Sequence, residues 1–283
     1  MRRPTARGAR GARGTGGHPP VLKRLGQHFL NDERVLESIA SALDLTGDET
    51  VVEIGPGRGA LTRHLAGRAR RLVLIELDRA LAANLRIEFA GDTTIEVIEA
   101  DVLDANIAQL AGGPYVLVGN VPYYITTPII FHALKEPMPL RAVFLVQREV
   151  AERMAANADD DEYGALSVTL QALTEPELLM HVPPSAFTPA PKVHSAVVRL
   201  RPRTSPLVPP ETAPGFQAFV QSFFGMRRKQ LGTIVRALAA VDTERAREML
   251  TAGGWDPAAR PETLSPPEFA RLYAALRANI TPG

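Results

Sequence analysis

Between residues 51 and 156 five short apolar runs alternate with helix-like stretches, and that alternation restricts the chain to one fold class. The runs fall at 51–54, 72–75, 95–98, 115–118 and 142–146, and most contain Val or Ile. Helical periods occupy 60–66, 79–89, 127–134 and 148–156. Strand and helix alternating at this pitch build a parallel sheet with helices on both faces. Strands that are apolar almost throughout are those of a sheet buried on both sides. A further helix is predicted over 31–43, with Asn31 as N-cap and Asp32 and Glu33 in the first turn. Its apolar face is Val35, Leu36, Ile39, Ala40 and Leu43.

The pattern changes after Tyr163. One helical segment precedes strand-like runs at 177–182 and 193–201, which read as an antiparallel pair closing the sheet. Between them, residues 183–191 hold four prolines and read as a fixed loop rather than a strand. The proline-rich stretch 201–214 reads as a linker. Beyond it only helical periods remain, such as Phe216, Phe219, Val220 and Phe223. The expected architecture is therefore α/β: a Rossmann-like sheet with helices on both faces and an antiparallel closing hairpin, plus a small all-α C-terminal domain. The expected boundaries are a disordered basic tail at 1–20, the α/β domain at 21–203 and the helical domain at 204–283.

Composition narrows the function classes. The 283-residue chain has no cysteine, which excludes a disulfide framework, thiolate zinc sites and a cysteine nucleophile. Its histidines, at positions 18, 28, 64, 132, 181 and 194, include no pair spaced as helical metal ligands, so no metal is expected. No apolar run reaches the ~18 residues of a membrane span. The net charge of +1 hides an asymmetry. Residues 1–24 carry seven Lys/Arg and no acid, and residues 185–240 carry eight basic residues against Glu211 alone, while 25–184 sum to −12. Two basic zones beside an acidic body point to a polyanion such as nucleic acid. The first 20 residues lack the apolar core of a secretory signal and the serines of a transit peptide. They read as a flexible tail that touches nucleic acid backbone in a cytoplasmic protein.

Glu53-Ile54-Gly55-Pro56-Gly57-Arg58-Gly59 carries a strand into a glycine turn and then a helix. In open α/β sheets ligands bind at such strand ends, and glycine lets the backbone approach them closely. Glu76 ends the second strand, 21 residues beyond Gly55, where an acid accepts from ribose hydroxyls. Asp101 follows the third, placed to meet an adenine amino group. Three acids (Glu53, Glu76, Asp101) around one site would repel a pyrophosphate. They suit a cofactor with a positive centre, such as the sulfonium of S-adenosylmethionine.

Gly119-Asn120-Val121-Pro122-Tyr123 ends the fourth strand. The Asn120 side-chain oxygen and the Val121 carbonyl can both accept from one exocyclic NH2. Pro122 fixes φ and brings no competing N–H, and Tyr123 can stack on a base. The adenine amino group is a weak nucleophile, so two acceptors that aim its lone pair at a methyl carbon contribute mainly alignment. Arg227-Arg228-Lys229, beside such a site, reads as a phosphate-contacting patch at a helix start, with Lys192, Arg199, Arg201 and Arg203 extending it.

With these motifs the chain resembles the bacterial small-subunit ribosomal RNA adenine dimethyltransferases, over roughly residues 22–280. Gly26-Gln27-His28-Phe29-Leu30-Asn31-Asp32, Gln147-Arg148-Glu149-Val150 and Ser185-Ala186-Phe187-Thr188-Pro189 share in the likeness. The resemblance implies cofactor contacts at His28 (Asn in many members), Leu30, Gly55, Gly57, Glu76, Asp101 and Asn120. It implies that Tyr123 and Phe187 sandwich the target base, which must leave any stack to react. Val121 stands where members commonly have Leu. The implied reaction places two methyls on N6 of each of two adjacent adenosines in the 3′-terminal hairpin loop of 16S rRNA. The implied partner is the assembling 30S subunit and the expected state a monomer. The competing readings are a large-subunit resistance methylase, a DNA adenine methyltransferase, whose motif usually begins with Asp, and an assembly factor without turnover.

Overall fold

The computed structural model describes residues 28–278, so the basic tail and Gly26-Gln27 lie outside the described residues. The chain runs β1 (Phe29–Leu30), α1 (Glu33–Ala42), β2 (Thr50–Ile54), α2 (Ala60–Leu65), β3 (Arg71–Glu76), α3 (Arg79–Glu88), β4 (Ile95–Glu99), α4 (Ile107–Ala111), β5 (Tyr115–Asn120), α5 (Thr126–Ala133), β6 (Arg141–Gln147) and α6 (Arg148–Ala155). There follow α7 (Ala165–Leu173), β7 (Thr174–Val182), β8 (Phe187–Thr188), β9 (Ser195–Pro202), α8 (Ala213–Gly225), α9 (Leu231–Ala239), α10 (Thr243–Ala252) and α11 (Pro266–Leu276).

Seven strands form one sheet in the order β4-β3-β2-β5-β6-β9-β7. The first five are mutually parallel, and β9 enters antiparallel between β6 and β7. Alternate side chains leave each strand on opposite faces. Val52, Val73, Leu117 and Phe144 pack one way, under α4 to α7. Val51, Leu74, Val116 and Val143 pack the other way, under α1 to α3. Strand order reverses between β2 and β5, which opens a crevice at their carboxyl ends.

Helix α1 begins one residue later than its pattern predicts. Asp32 is the cap, its carboxylate accepting from the N–H groups of Arg34 (3.0 Å) and Val35 (3.2 Å). Asn31 is occupied elsewhere, donating to Thr188 Oγ1 at 2.7 Å. The proline loop also differs from its reading as a loop throughout: Phe187 and Thr188 pair with Leu30 and Phe29 as a two-stranded antiparallel ribbon.

Helix α7 joins the two halves of the chain. Leu166 and Leu170 face the sheet, whereas Val168, Ala172 and Leu173 pack with Phe216, Phe219 and Phe223 of α8. The stretch expected as a linker is docked on α7. The Leu207 N–H donates to Ala172 O (2.8 Å), Arg203 N–H to Leu173 O (2.9 Å), and Val208 is buried. Phe219 lies at the centre of the helical cluster, with ring centroids 4.5 Å from Phe223 and 5.3 Å from Tyr273. Phe219→Ala is therefore expected to cost about 3–5 kcal/mol, read as a lower midpoint in denaturant unfolding.

Candidate functional site

A cavity of about 600 Å³ occupies the crevice at the carboxyl ends of the parallel strands. Parallel register brings its parts together. Ile54 lies opposite both Ile75 and Gly119, so Gly55, Glu76 and Asn120 emerge at one edge of the sheet. Asp101 follows β4 onto the same edge and also lines the cavity.

The glycine turn is shaped by its contacts. Gly57 has φ +60°, and a Cβ there would stand 3.1 Å from two ring carbons of Phe29. The Gly57 N–H donates to Glu76 Oε2 (2.9 Å) while Asp78 N–H donates to Oε1 (2.8 Å). A carboxylate has about four acceptor sites, so these donors leave capacity for a ligand hydroxyl. Burial raises the Glu76 carboxyl, and these backbone donors pull the other way. Asp101 accepts from Leu103 N–H at 2.9 Å.

Glu53 lies at 2 % exposure, in reach of the cavity, and accepts from Thr62 Oγ1 at 2.7 Å. Burial pushes its carboxyl up to about 7, against the Thr62 hydroxyl and with a further rise from Glu76.

Asn120 is oriented from the N-terminal side. Its Nδ2 donates to the His28 carbonyl at 3.1 Å, which turns Oδ1 the opposite way as an acceptor. His28 is held in turn: its ring Nδ1 donates to Pro189 O (2.8 Å), and its ring lies nearly parallel to Tyr123, centroids 5.8 Å apart. The turn after Asn120 is braced by Thr126 Oγ1, which donates to Pro122 O at 3.1 Å. Ser195 Oγ, 2.5 Å from the Tyr123 hydroxyl, closes the far side.

The structure thus gathers His28, Leu30, Gly55, Gly57, Glu76, Asp101, Asn120, Val121, Pro122 and Tyr123 around one cavity. It does not bring Phe187 there. That ring is 3 % exposed and packs with Leu30 and Val197, and Thr188 lines the wall in its place. Thr62, Thr126 and Ser195 escaped sequence reasoning because each acts from another element.

The basic surface also differs from expectation. Arg199 and Arg201 both pair with Asp44 and Glu177, at 2.7–3.3 Å, and Arg203 pairs with Glu175 at 3.3 Å. These cations brace the β7–β9 hairpin rather than extend a phosphate surface, and Arg199 holds the Glu177 carboxyl below its ordinary range. Lys192 stays exposed. Arg227, Arg228 and Lys229 are exposed too, in the turn between α8 and α9 rather than at a helix start. Among the described residues no helix is long and apolar enough to cross a membrane, and no group of three His, Asp or Glu is arranged to hold a metal ion.

Comparison with known proteins follows the same lines. The profile of the family described as ribosomal RNA adenine dimethylase matches residues 21–275. A protein of Acidobacterium capsulatum named ribosomal RNA small subunit methyltransferase A is 44 % identical over 267 residues, 93 % of this chain and 92 % of its own length. The protein of that name from Alkaliphilus metalliredigens is 41 % identical over 257 residues, 88 % of this chain and 90 % of its own. Among solved structures, the 23S rRNA methyltransferase ErmE superposes with TM-score 0.70 at 32 % identity, covering 88 % of this chain and 99 % of ErmE. A dimethyladenosine transferase from Plasmodium falciparum, at 23 % identity and TM-score 0.76, covers 89 % and 98 % and shares the fold.

The Glu53 carboxyl sets a pH dependence. Its folded value lies above the unfolded 4.5, so the folded state holds the proton more tightly. Stability then falls as pH rises from about 4.5 through about 7. Glu53→Gln is expected to flatten this fall, read as thermal midpoints of both proteins between pH 5 and 8 without cofactor. A parallel slope in the two proteins would contradict it.

Proposed function

The chain belongs to the ribosomal RNA adenine dimethylase family, and from that premise we infer a reaction at this cavity: transfer of methyl groups from S-adenosylmethionine to adenine N6 of small-subunit ribosomal RNA. The donor set fits that cofactor. Glu53 and Glu76 are buried at the sheet edge, where Glu76 raises the Glu53 carboxyl, and Asp101 lines the same cavity, so a cationic sulfonium compound suits the site and a polyphosphate would meet repulsion there. Greater identity to the small-subunit relatives than to ErmE favours the small-subunit branch.

Glu76 would accept the ribose hydroxyls on its remaining lone pairs, and Asp101 the adenine amino group of the cofactor. Leu30, His28 and the turn at Gly55 and Gly57 would form the rest of its seat. The bound cofactor supplies an electrophilic methyl on positive sulfur. The observation that carries the catalytic reading is the Asn120 amide, whose nitrogen is committed to the His28 carbonyl and whose oxygen is therefore an acceptor. Asn120 Oδ1 and the Val121 carbonyl would take the two N6 hydrogens of the target adenine, leaving the lone pair to face the methyl. Pro122 keeps that carbonyl aimed, and Tyr123 stacks on the base. Held this way, N6 would take the methyl as the sulfur leaves as a neutral thioether, and the surplus N6 proton would pass to water. Alignment is the main contribution.

The finer substrate, two adjacent adenosines in the 3′-terminal hairpin loop of 16S rRNA within an assembling 30S subunit, follows the same reading. Arg227, Arg228 and Lys229 project from an exposed turn and suit phosphate contacts. The protein is read as a cytoplasmic monomer of two parts, a methyltransferase domain at 21–203 and an RNA-binding domain at 204–283.

Labelled S-adenosylmethionine offered with small subunits lacking the modification, large-subunit RNA and DNA is expected to yield N6,N6-dimethyladenosine on the small subunits alone. Asn120→Ala should lower that transfer about 100-fold or more. Undiminished turnover would sink the Asn120 role. Arg228→Ala should reduce the slope of log affinity against log salt by about one without changing cofactor affinity. An unchanged slope would remove Arg228 from the interface.

A further inference from the structure

The Tyr123 hydroxyl and Ser195 Oγ lie 2.5 Å apart across 72 residues of sequence. Ser195 has no exposed surface. It is the first residue of β9, paired with Gln147 of β6, so its backbone is fixed by the sheet. Tyr123, by contrast, sits at the cavity wall just beyond the end of β5. A tyrosine side chain has two soft torsions. Pinning the para oxygen, which lies on the Cβ–Cγ axis, fixes the first torsion; the second is restrained because a phenol hydroxyl hydrogen-bonds in its ring plane and because the His28 ring stacks on the same side chain at 5.8 Å.

We propose that Ser195 is a positioning residue: by holding the Tyr123 hydroxyl it fixes the plane on which the target adenine stacks, and so keeps N6 in line with the methyl group. This rests on the reading of Tyr123 as the stacking surface. Its consequence differs between the two methyl transfers. Before the first, the target amine offers two hydrogens to Asn120 Oδ1 and the Val121 carbonyl. Before the second it has one, so one acceptor loses its hold on the amine. The plane of the base then carries more of the alignment, and a loosened Tyr123 ring slows the second transfer more than the first.

The test uses the full chain on small subunits lacking the modification, with single-turnover rates and the ratio of N6-methyladenosine to N6,N6-dimethyladenosine measured by mass spectrometry. Ser195→Ala and Tyr123→Phe are each expected to slow the second transfer roughly 3- to 10-fold, with the monomethyl product accumulating. Cofactor affinity should be unchanged, and the double variant should be no slower than the slower single one. Tyr123→Phe removes one oxygen and leaves the packing, so it decides the matter even if Ser195→Ala does not fold. Wild-type rates and product ratio in Tyr123→Phe overturn the proposal. Tyr123→Ala separates the two levels: strong impairment there beside a wild-type Tyr123→Phe keeps the stack and discards Ser195, whereas wild-type activity in Tyr123→Ala discards the stack itself.

Discussion

Parallel strand register is the constraint on which the site depends. Because β2 pairs in parallel with both β3 and β5, every residue just past a carboxyl end meets its neighbours at one level. The same ladder extends to β4, with Glu76 opposite Glu99. Backbone hydrogen bonds between strands therefore assemble Gly55, Glu76, Asp101 and Asn120 with no contact among their side chains required. The cost is electrostatic. Carboxylates concentrated at a buried edge are expensive to ionise, and the chain answers with a hydroxyl for Glu53 and two backbone N–H groups for Glu76. What is left unmet is a demand for positive charge, which the proposed cofactor would satisfy.

A second layer of organisation comes from the ribbon of β1 and β8. Two residue pairs are too few to be stable alone, and the ribbon is buttressed by the Asn31–Thr188 and His28–Pro189 hydrogen bonds. Through it the segment at 28–31 becomes a strap across the cavity. The strap contributes a carbonyl that orients the Asn120 amide, a phenyl ring against Gly57 and an imidazole beside Tyr123. The glycine turn, the Asn120 amide and the Tyr123 ring thus share one support.

Sequence reasoning reached the sheet, its flanking helices and the strand-end residues because these follow from local pattern: apolar runs, glycine turns, an Asn-x-Pro-Tyr end. It failed where the deciding partner lies far along the chain. Asn31 and Asp32 are equally good caps by type, and only Thr188 decides between them. Helix α4 has five residues, too few for a visible period, and its signal was the Asn106 cap alone. Phe187 looks like a stacking ring, yet it is buried in the cluster that holds Leu30 and Val197. Arg199 and Arg201 count as basic surface in any charge sum, yet their charges are met by Asp44 and Glu177, which no spacing rule connects to them.

The placement of β9 has a consequence for the order in which the molecule matures. The contacts that complete the site join His28 to Pro189, Asn31 to Thr188 and Tyr123 to Ser195, across 161, 157 and 72 positions. Closing such long loops is slow, and chains are synthesised from the N-terminus. A chain still being made, with β2 to β6 already emerged, holds the glycine turn and its acids but neither the strap's anchor nor the support for Tyr123. The site is geometrically complete only when β9 has inserted beside β6. An unfinished or truncated product therefore carries the glycine turn and its acids without the anchored strap or the bond that holds Tyr123, a dependence written into the topology rather than into any regulatory element.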